Sequence, residues 1–290
     1  MSEPLFSIIT PSYNYSKYVR ECLDSVAAQE GASFEHIIFD AGSTDGTLDI
    51  IREYPDVDLT VEPDSGMSEA INKGFRKARG KWVMWLNTDD RLLPGALSAV
   101  AEFAQRHWEA DVIHGAWNSV NEGGEIIKKY KSAPFSLRMM VYRCCYIAST
   151  SLFLRRETTV LQGFLLNEKF KTVMDGEYYA RLGMAGKKFV NFNTPLAEFR
   201  VHGDALSARR MGDKSIDACL WRERQNAETA AIRRAYGWSP FGLASRWNIL
   251  YDMAADEFYR YKKGAQLLLM PYPSPPHLHS ETNEKRNSGK

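Results

Sequence analysis

Apolar residues along the first hundred positions fall into short unbroken runs separated by stretches of helical period, and that alternation predicts the architecture. Residues 5–10 form a buried-strand run stopped by Pro11, and Ser16 is placed to cap a helix whose inner face carries Tyr18, Val19, Cys22, Leu23 and Val26. Residues 34–40 predict a second strand, 41–46 a Gly-Ser-Asp turn, and Leu48, Ile51 and Tyr54 a short helix. A brief third strand at 59–61 leads through the turn at 64–66 into a helix with Ala70, Ile71, Gly74, Phe75 and Ala78 inward. The run from Trp82 to Leu86 is apolar at every position, which suits a strand covered on both faces, and it breaks abruptly into Asn87, Thr88, Asp89 and Asp90. Pro94 then starts a helix with Leu97, Val100, Ala101 and Ala104 inward. Strands alternating with helices predict an α/β fold, a mostly parallel, doubly wound, Rossmann-like sheet.

The pattern changes in the second half. Residues 112–115 and 117–120 read as strands, 121–125 as a turn and 126–130 as a return strand, and residues 189–192 and 196–201 as closing strands. Helical patterns resume at 214–236 and 241–269, whereas 271–290 has no apolar periodicity and is expected to be disordered. The division expected is a domain over 1–212, in two halves at 1–105 and 106–212, followed by a helical extension at 213–270 and the tail.

Composition narrows the function classes. The 290 residues are 44% hydrophobic and 25% charged, as in an ordinary globular chain. A formal net charge of +1, with no long basic run, gives no reason to expect a nucleic-acid partner. Cys22, Cys144, Cys145 and Cys219 have neither CxxC nor metal-site spacing, which fits reduced thiols in the cytoplasm. No leader pattern opens the chain and no apolar run has the length of a membrane span, so the expected location is cytoplasmic. Trp247, Phe258 and Tyr259 beside Arg246, Arg260 and Lys262 suit either peripheral contact with the inner face of a membrane or a homo-oligomer.

Candidate chemistry gathers where strands end. Thr10, Asp40, Asp64 and residues 87–90 fall along one edge of such a sheet, the edge at which open α/β sheets bind ligands. Strand-to-helix loops are polar in any case, using Asp, Asn and Ser for capping. As a set, however, Asp40, Asp64, Asp89 and Asp90 would crowd like charges together unless a cation compensates them, and hard carboxylate oxygens suit Mg²⁺ or Mn²⁺. His114 and Trp117 could meet a ligand or fill a core strand. Asp175 reads locally as a helix N-cap, and His202 as a loop residue after a strand. No P-loop or dinucleotide fingerprint is present.

Four stretches in order resemble the nucleotide-sugar glycosyltransferases of family 2, with the GT-A fold, of bacterial cell-surface polysaccharide type. Residues 7–14, ending in Thr10, Pro11, Ser12, Tyr13 and Asn14, look like the family's first strand and nucleotide loop; Asp40 with Gly42 and Ser43 looks like its second loop, whose aspartate reads the donor base. Residues 62–74, including Asp64 and Asn72, resemble a stretch of the polysaccharide members. Residues 87–90 occupy the place of the DxD motif, with Asn87 in place of the first acid, Thr88 beside it, and Asp89 and Asp90 left for a metal. The resemblance further implies a nucleotide-binding half at 1–105 and an acceptor half at 106–212, Asp175 as general base, with Met174 where a glutamate is usual, and His202 as an added metal and diphosphate ligand. Glu177, on a different side of the same helix, is the fallback base. Arg209 and Arg210 are candidates to clamp the diphosphate. The implied activity is inverting, metal-dependent transfer of a sugar from a nucleotide-diphosphate donor to a glycan or lipid-linked hydroxyl, with Mn²⁺ or Mg²⁺ as cofactor. A sugar-nucleotide nucleotidyltransferase, or a non-catalytic sugar-nucleotide-binding partner, is the alternative.

Overall fold

Strand β1 (Phe6–Ser12) is buried along its whole length and lies between two parallel neighbours, β2 (Phe34–Asp40) and β4 (Trp82–Trp85), with β3 (Val57–Val61) outside β2. The computed structural model describes residues 3–142, 145–203 and 216–236. Ile8 and Met84 pack into one apolar cluster, whereas Ile9 and Trp85 pack into another on the opposite face, as period-two alternation requires of a sheet covered on both sides. Helices α1 (Val19–Ala27) and α4 (Ala96–Arg106) cover the first face and α3 (Met67–Lys77) the second; α2 (Thr47–Ile51) packs beside α1. At Gly74 a Cβ would lie 2.3 Å from Ile9 Cγ2, so this glycine lets α3 approach β1 closely.

The predicted parallel units account for the first half of the sheet. The full order is β3-β2-β1-β4-β8-β6-β9-β5, with β7 (Ile126–Tyr130) paired to β6 (Val112–Val120). Beyond β4 the pairing is antiparallel through β8 (Leu152–Arg155), parallel again between β6 and β9 (Phe189–Arg200), and antiparallel to the two-residue β5 (Arg91–Leu92). Helices α5 (Leu137–Tyr142), α6 (Met174–Met184) and α7 (Ile216–Tyr236) complete the described elements, and α7 packs on both α5 and α6.

Several local expectations change. β1 runs through Pro11 to Ser12, because the Ile9 carbonyl accepts from Leu86 on the β4 side and alternation puts Pro11 on that side, where β4 has ended and no donor is required. The two strands expected at 112–120 are one, as are the two at 189–201; register shifts around Ala116, opposite Pro195, absorb the irregularity that the pattern suggested was a break. Ser16 does not cap α1, which starts after Tyr18; its N–H instead donates to Asp45. α4 starts after Gly95, at φ 72°, rather than at Pro94. Among the described residues no helix is long and apolar enough to cross a membrane.

Candidate active site

Two loops at the tips of β1 and β2 are sewn together by short-range polar contacts. Asp40 Oδ1 accepts the N–H groups of Gly42 (2.9 Å) and Ser43 (2.6 Å), and Oδ2 accepts the Ser43 hydroxyl (2.7 Å). Asn14, at φ 55°, donates its N–H to Ser43 Oγ and accepts the Thr44 N–H. Asp45 accepts from Ser16 N–H, Thr47 N–H and the Thr47 hydroxyl; burial works against its charge, but these donors outweigh it and lower its pKa to about 2. Tyr13 projects into solvent at 58% exposure, while Ser12 is buried with its hydroxyl unpartnered.

This geometry corrects several expectations for the nucleotide end. Asp40 is 0% exposed and its oxygens accept three donors of its own turn, two on Oδ1 and the Ser43 hydroxyl alone on Oδ2, so the structure gives it a turn-holding role. Thr10 is buried against His36 (2.9 Å), because its side chain faces β2 rather than the strand tip. Asn72 is buried, pairing with both the N–H and the C=O of Leu166 and with Glu168; it pins a distant loop instead of meeting a ligand. Asp64 accepts the Gly66 N–H and holds its turn.

At the end of β4, Pro11, Asn87, Thr88 and Asp89 open on a cavity of about 430 Å³. Thr88 reaches it with its hydroxyl already bonded to the Pro11 carbonyl (2.7 Å). Asp89 Oδ2 meets His202 Nε2 at 2.9 Å, and the His202 ring lies 4.7 Å from that of Tyr18, with Nδ1 buried and unpartnered. Asp90 is directed the other way: Oδ1 accepts the Arg200 N–H (2.9 Å), Oδ2 accepts Asn87 Nδ2 (3.1 Å), and burial together with the charge of Asp89 pushes its pKa well up. The two adjacent carboxylates therefore do not converge, since successive residues leave the chain in different directions, and Asp90 is withdrawn from the metal-facing set.

Arg200, 1% exposed, is the organising residue that the sequence pattern did not reveal. Its guanidinium donates to the Asp89 carbonyl (3.0 Å), the Glu122 carbonyl (2.7 Å) and Glu21 Oε2 (2.5 Å), and it stacks 4.9 Å from the centre of the Tyr18 ring. Arg91 bonds Glu198 and the same Glu21, so β9, the 87–90 segment and α1 are tied into one polar frame. An arginine closing an apolar strand two residues before His202 was the available signal.

Asp175 opens on the same cavity as Asp89. It lies inside the first turn of α6, after Val173, and is not the cap expected; its Oδ1 accepts the neighbouring Gly176 N–H (2.8 Å). Glu177 is 1% exposed and forked onto Arg181 (2.9 and 3.1 Å), which removes it as the fallback base. Ser68 donates to Met174 Sδ, so the methionine in place of the usual glutamate lies against α3. His114 is core, bonded to Ser132, and Trp117 stacks on Tyr130 at 3.9 Å; neither lines the cavity. Ser149, to which the sequence assigned no role, lines the cavity, as do Gln225, Asn226 and Thr229 of α7. Arg209 and Arg210 lie outside the described residues.

Comparison with known proteins agrees with this geometry. Residues 7–159 match the family described as Glycosyl transferase family 2. A protein named for teichuronic acid biosynthesis, the glycosyltransferase TuaG of Bacillus subtilis (strain 168), is 30% identical over 214 residues, 72% of this chain and 83% of its own length. Among solved structures, S. aureus TarS 1-349 in complex with UDP-GlcNAc superposes with a TM-score of 0.61 at 19% identity, covering 90% of this chain and 72% of that one. The mannosyltransferase PcManGT from Pyrobaculum calidifontis, in complex with GDP-Man and Mn²⁺, gives 0.53 at 16% identity, covering 92% and 85%. Both structural likenesses speak for the fold, the GT-A arrangement of a mixed sheet between helices, and the sequence matches carry the family. With its first-half motifs and its site cavity at the carboxyl ends of β1 and β4, the chain belongs to glycosyltransferase family 2 and is a glycosyltransferase.

Proposed function

We propose that this glycosyltransferase transfers a sugar, with inversion, from a nucleoside diphosphate donor to a hydroxyl of a glycan or lipid-linked acceptor during cell-surface polysaccharide biosynthesis. The observation that carries the reading is that Asp175 and Asp89 open on one cavity, with His202 bonded to Asp89. A candidate base and a candidate diphosphate end thus line the same space. The UDP-GlcNAc and GDP-Man bound by the two solved relatives support a nucleoside diphosphate donor, and the teichuronic acid relative supports a polysaccharide product.

In the proposed step the acceptor hydroxyl attacks the anomeric carbon from the face opposite the diphosphate. The new C–O bond forms as the bond to the phosphate oxygen breaks, the electron pair leaves with the diphosphate, and the hydroxyl proton passes to the Asp175 carboxylate. Asp89 and His202 would hold a divalent cation, Mn²⁺ or Mg²⁺. Carboxylate oxygen and imidazole nitrogen are suitable donors, and diphosphate oxygens of the donor would supply further ones. When bound, the cation offsets the charge that grows on the leaving diphosphate. Thr88 and Pro11 shape the wall beside it, and Asn14 with Ser43 holds the adjoining nucleotide loop.

The test is Asp175→Asn, which keeps size while removing basicity. Its kcat should fall by roughly 10² to 10⁴ with nucleoside diphosphate affinity nearly unchanged, and the wild-type product should carry the anomeric configuration opposite to the donor's by NMR. Retained kcat, or a product of retained configuration, sinks the reading.

A further inference from the structure

Helix α7 comes after β9 and the site histidine in the chain, and a single carboxylate on it makes an unusual set of contacts. Glu228 Oε1 accepts the Lys171 N–H (3.0 Å), and Oε2 accepts the Thr172 N–H (2.9 Å), the Thr172 hydroxyl (2.7 Å) and the Val173 N–H (3.3 Å). Its side chain is 11% exposed and is met by Arg224 Nε at 3.1 Å. Val173 is the capping residue of α6 and offers no side-chain acceptor. In an ordinary capping box a glutamate three residues into the helix bonds the N–H of the capping residue; here a glutamate 55 residues further along the chain performs that task from another helix.

The segment so held is part of the cavity wall. Lys171, Thr172 and Val173 all line it, and Asp175 follows Val173 by two residues. α7 is itself anchored, because Arg233 donates to the carbonyls of Val141 (3.4 Å) and Tyr142 (2.8 Å) at the end of α5. Between these anchors Thr229 and Ile232 line the cavity, as does Asn226 just before them. The helix is thus fixed to α5 at one point and to the approach to α6 at another, with the cavity between.

We propose that Glu228 is a positioning residue: by clamping the three backbone N–H groups and the hydroxyl of residues 171–173 it sets the first turn of α6, and with it Asp175, against the acceptor hydroxyl. The proposal rests on Asp175 being the base. Its consequence is that α7 is a working part of the acceptor side of the site. Small displacements of a catalytic group are costly, about 10²-fold for 1 Å, so releasing the clamp should be read in turnover before it is read in donor binding.

The experiment compares Glu228→Ala, Glu228→Gln and Asp175→Asn in the full chain, measuring kcat, acceptor KM, nucleoside diphosphate Kd and melting temperature. Glu228→Ala should lower kcat by about tenfold or more while the Kd stays within about twofold, since the nucleotide loops are held by a separate set of bonds. Glu228→Gln, which retains one carbonyl acceptor, should restore much of that loss. Where Glu228→Ala is too unstable to assay, Thr172→Val, which removes only the hydroxyl donor, should still lower kcat without changing the Kd. An inactive Asp175→Asn beside a folded Glu228→Ala of unchanged kcat overturns the positioning role alone, as does a loss of kcat and Kd together that glutamine does not restore. Turnover retained in Asp175→Asn overturns the base assignment, and the positioning role with it.

Discussion

The two ends of the site are built on different principles. At the nucleotide end the polar residues hold loops that are near in sequence or directly adjacent across a parallel pair: Asp40 grips residues 42 and 43, Asp45 grips Thr47, and Asn14 reaches the tip of the next strand. At the catalytic end the holding residues are remote. Arg200 fixes the 89–90 segment from 110 or more residues away, and Glu228 fixes the approach to Asp175 from 55 to 57. A nucleotide loop can therefore be recognised as a motif, because the residues that shape it travel with it. A catalytic segment held from elsewhere leaves only its reactive residue in view.

The largest way to break this comparison is to remove the remote anchor. Arg200→Ala keeps the backbone N–H that Asp90 accepts and leaves Glu21 with Arg91, but it strips the Asp89 and Glu122 carbonyls of their donor and empties a buried site, so a loss of about 3 to 5 kcal/mol in urea unfolding is expected, together with weaker nucleotide binding. A loss below about 1 kcal/mol would mean the frame is redundant.

Acid should weaken both halves. Burial lowers the pKa of His36, under the nucleotide loops, from 6.5 to about 4, and that of His114, in the acceptor half, to about 3. Above pH 6.5 both are neutral folded or unfolded and this stability is fully present; as pH falls toward 4 the unfolded chain binds protons that the folded chain resists, and stability declines. From His36 alone the loss is on the order of 3 kcal/mol, measurable as a falling urea midpoint between pH 6.5 and 4, and His36→Gln should flatten that slope.

At the cavity, Asp89→Asn should weaken Mn²⁺-dependent nucleoside diphosphate binding by about 10- to 100-fold in calorimetric titration, whereas Asp90→Asn, whose oxygens face Arg200 and Asn87, should act mainly on stability. Equal losses of metal-dependent binding would return Asp90 to the metal site. The smallest effect is expected at the nucleotide end. Asp40→Ala frees three donors of a tight turn and should cost about 1 to 2 kcal/mol of stability while weakening UDP and GDP alike. A selective loss for one base would instead support contact between Asp40 and that base.

Much of the nucleotide half was legible because burial on both faces makes strands read as unbroken apolar runs, and because turns need Gly, Asp and Ser at particular places. Asp89, Asp175 and His202 were each visible as single residues. Their surroundings were not: Glu228 has Arg224 one turn earlier and reads as an ordinary exposed ion pair on a helix, and Arg200 reads as the polar end of a strand. Asp40, Asp90 and Asn72 fit a ligand-binding role by type and place, and only the structure shows that they are buried and bonded within the chain.

What the sequence by itself determined is what depends on near neighbours: the alternating strands and helices of the first half, the turn residues of the first two loops, the family, and the presence of a carboxylate at Asp175. What the tertiary structure decided is which of those groups face a common space. Direction is set by pairing partners and by burial, so two adjacent aspartates of equal promise part company, Asp89 to the cavity and Asp90 to Arg200. The same reason brings α7 to the cavity and not to a separate appendage. Its sequence is compatible with a helix, but only packing on α5 and α6 brings Glu228 to the N–H groups of residues 171–173.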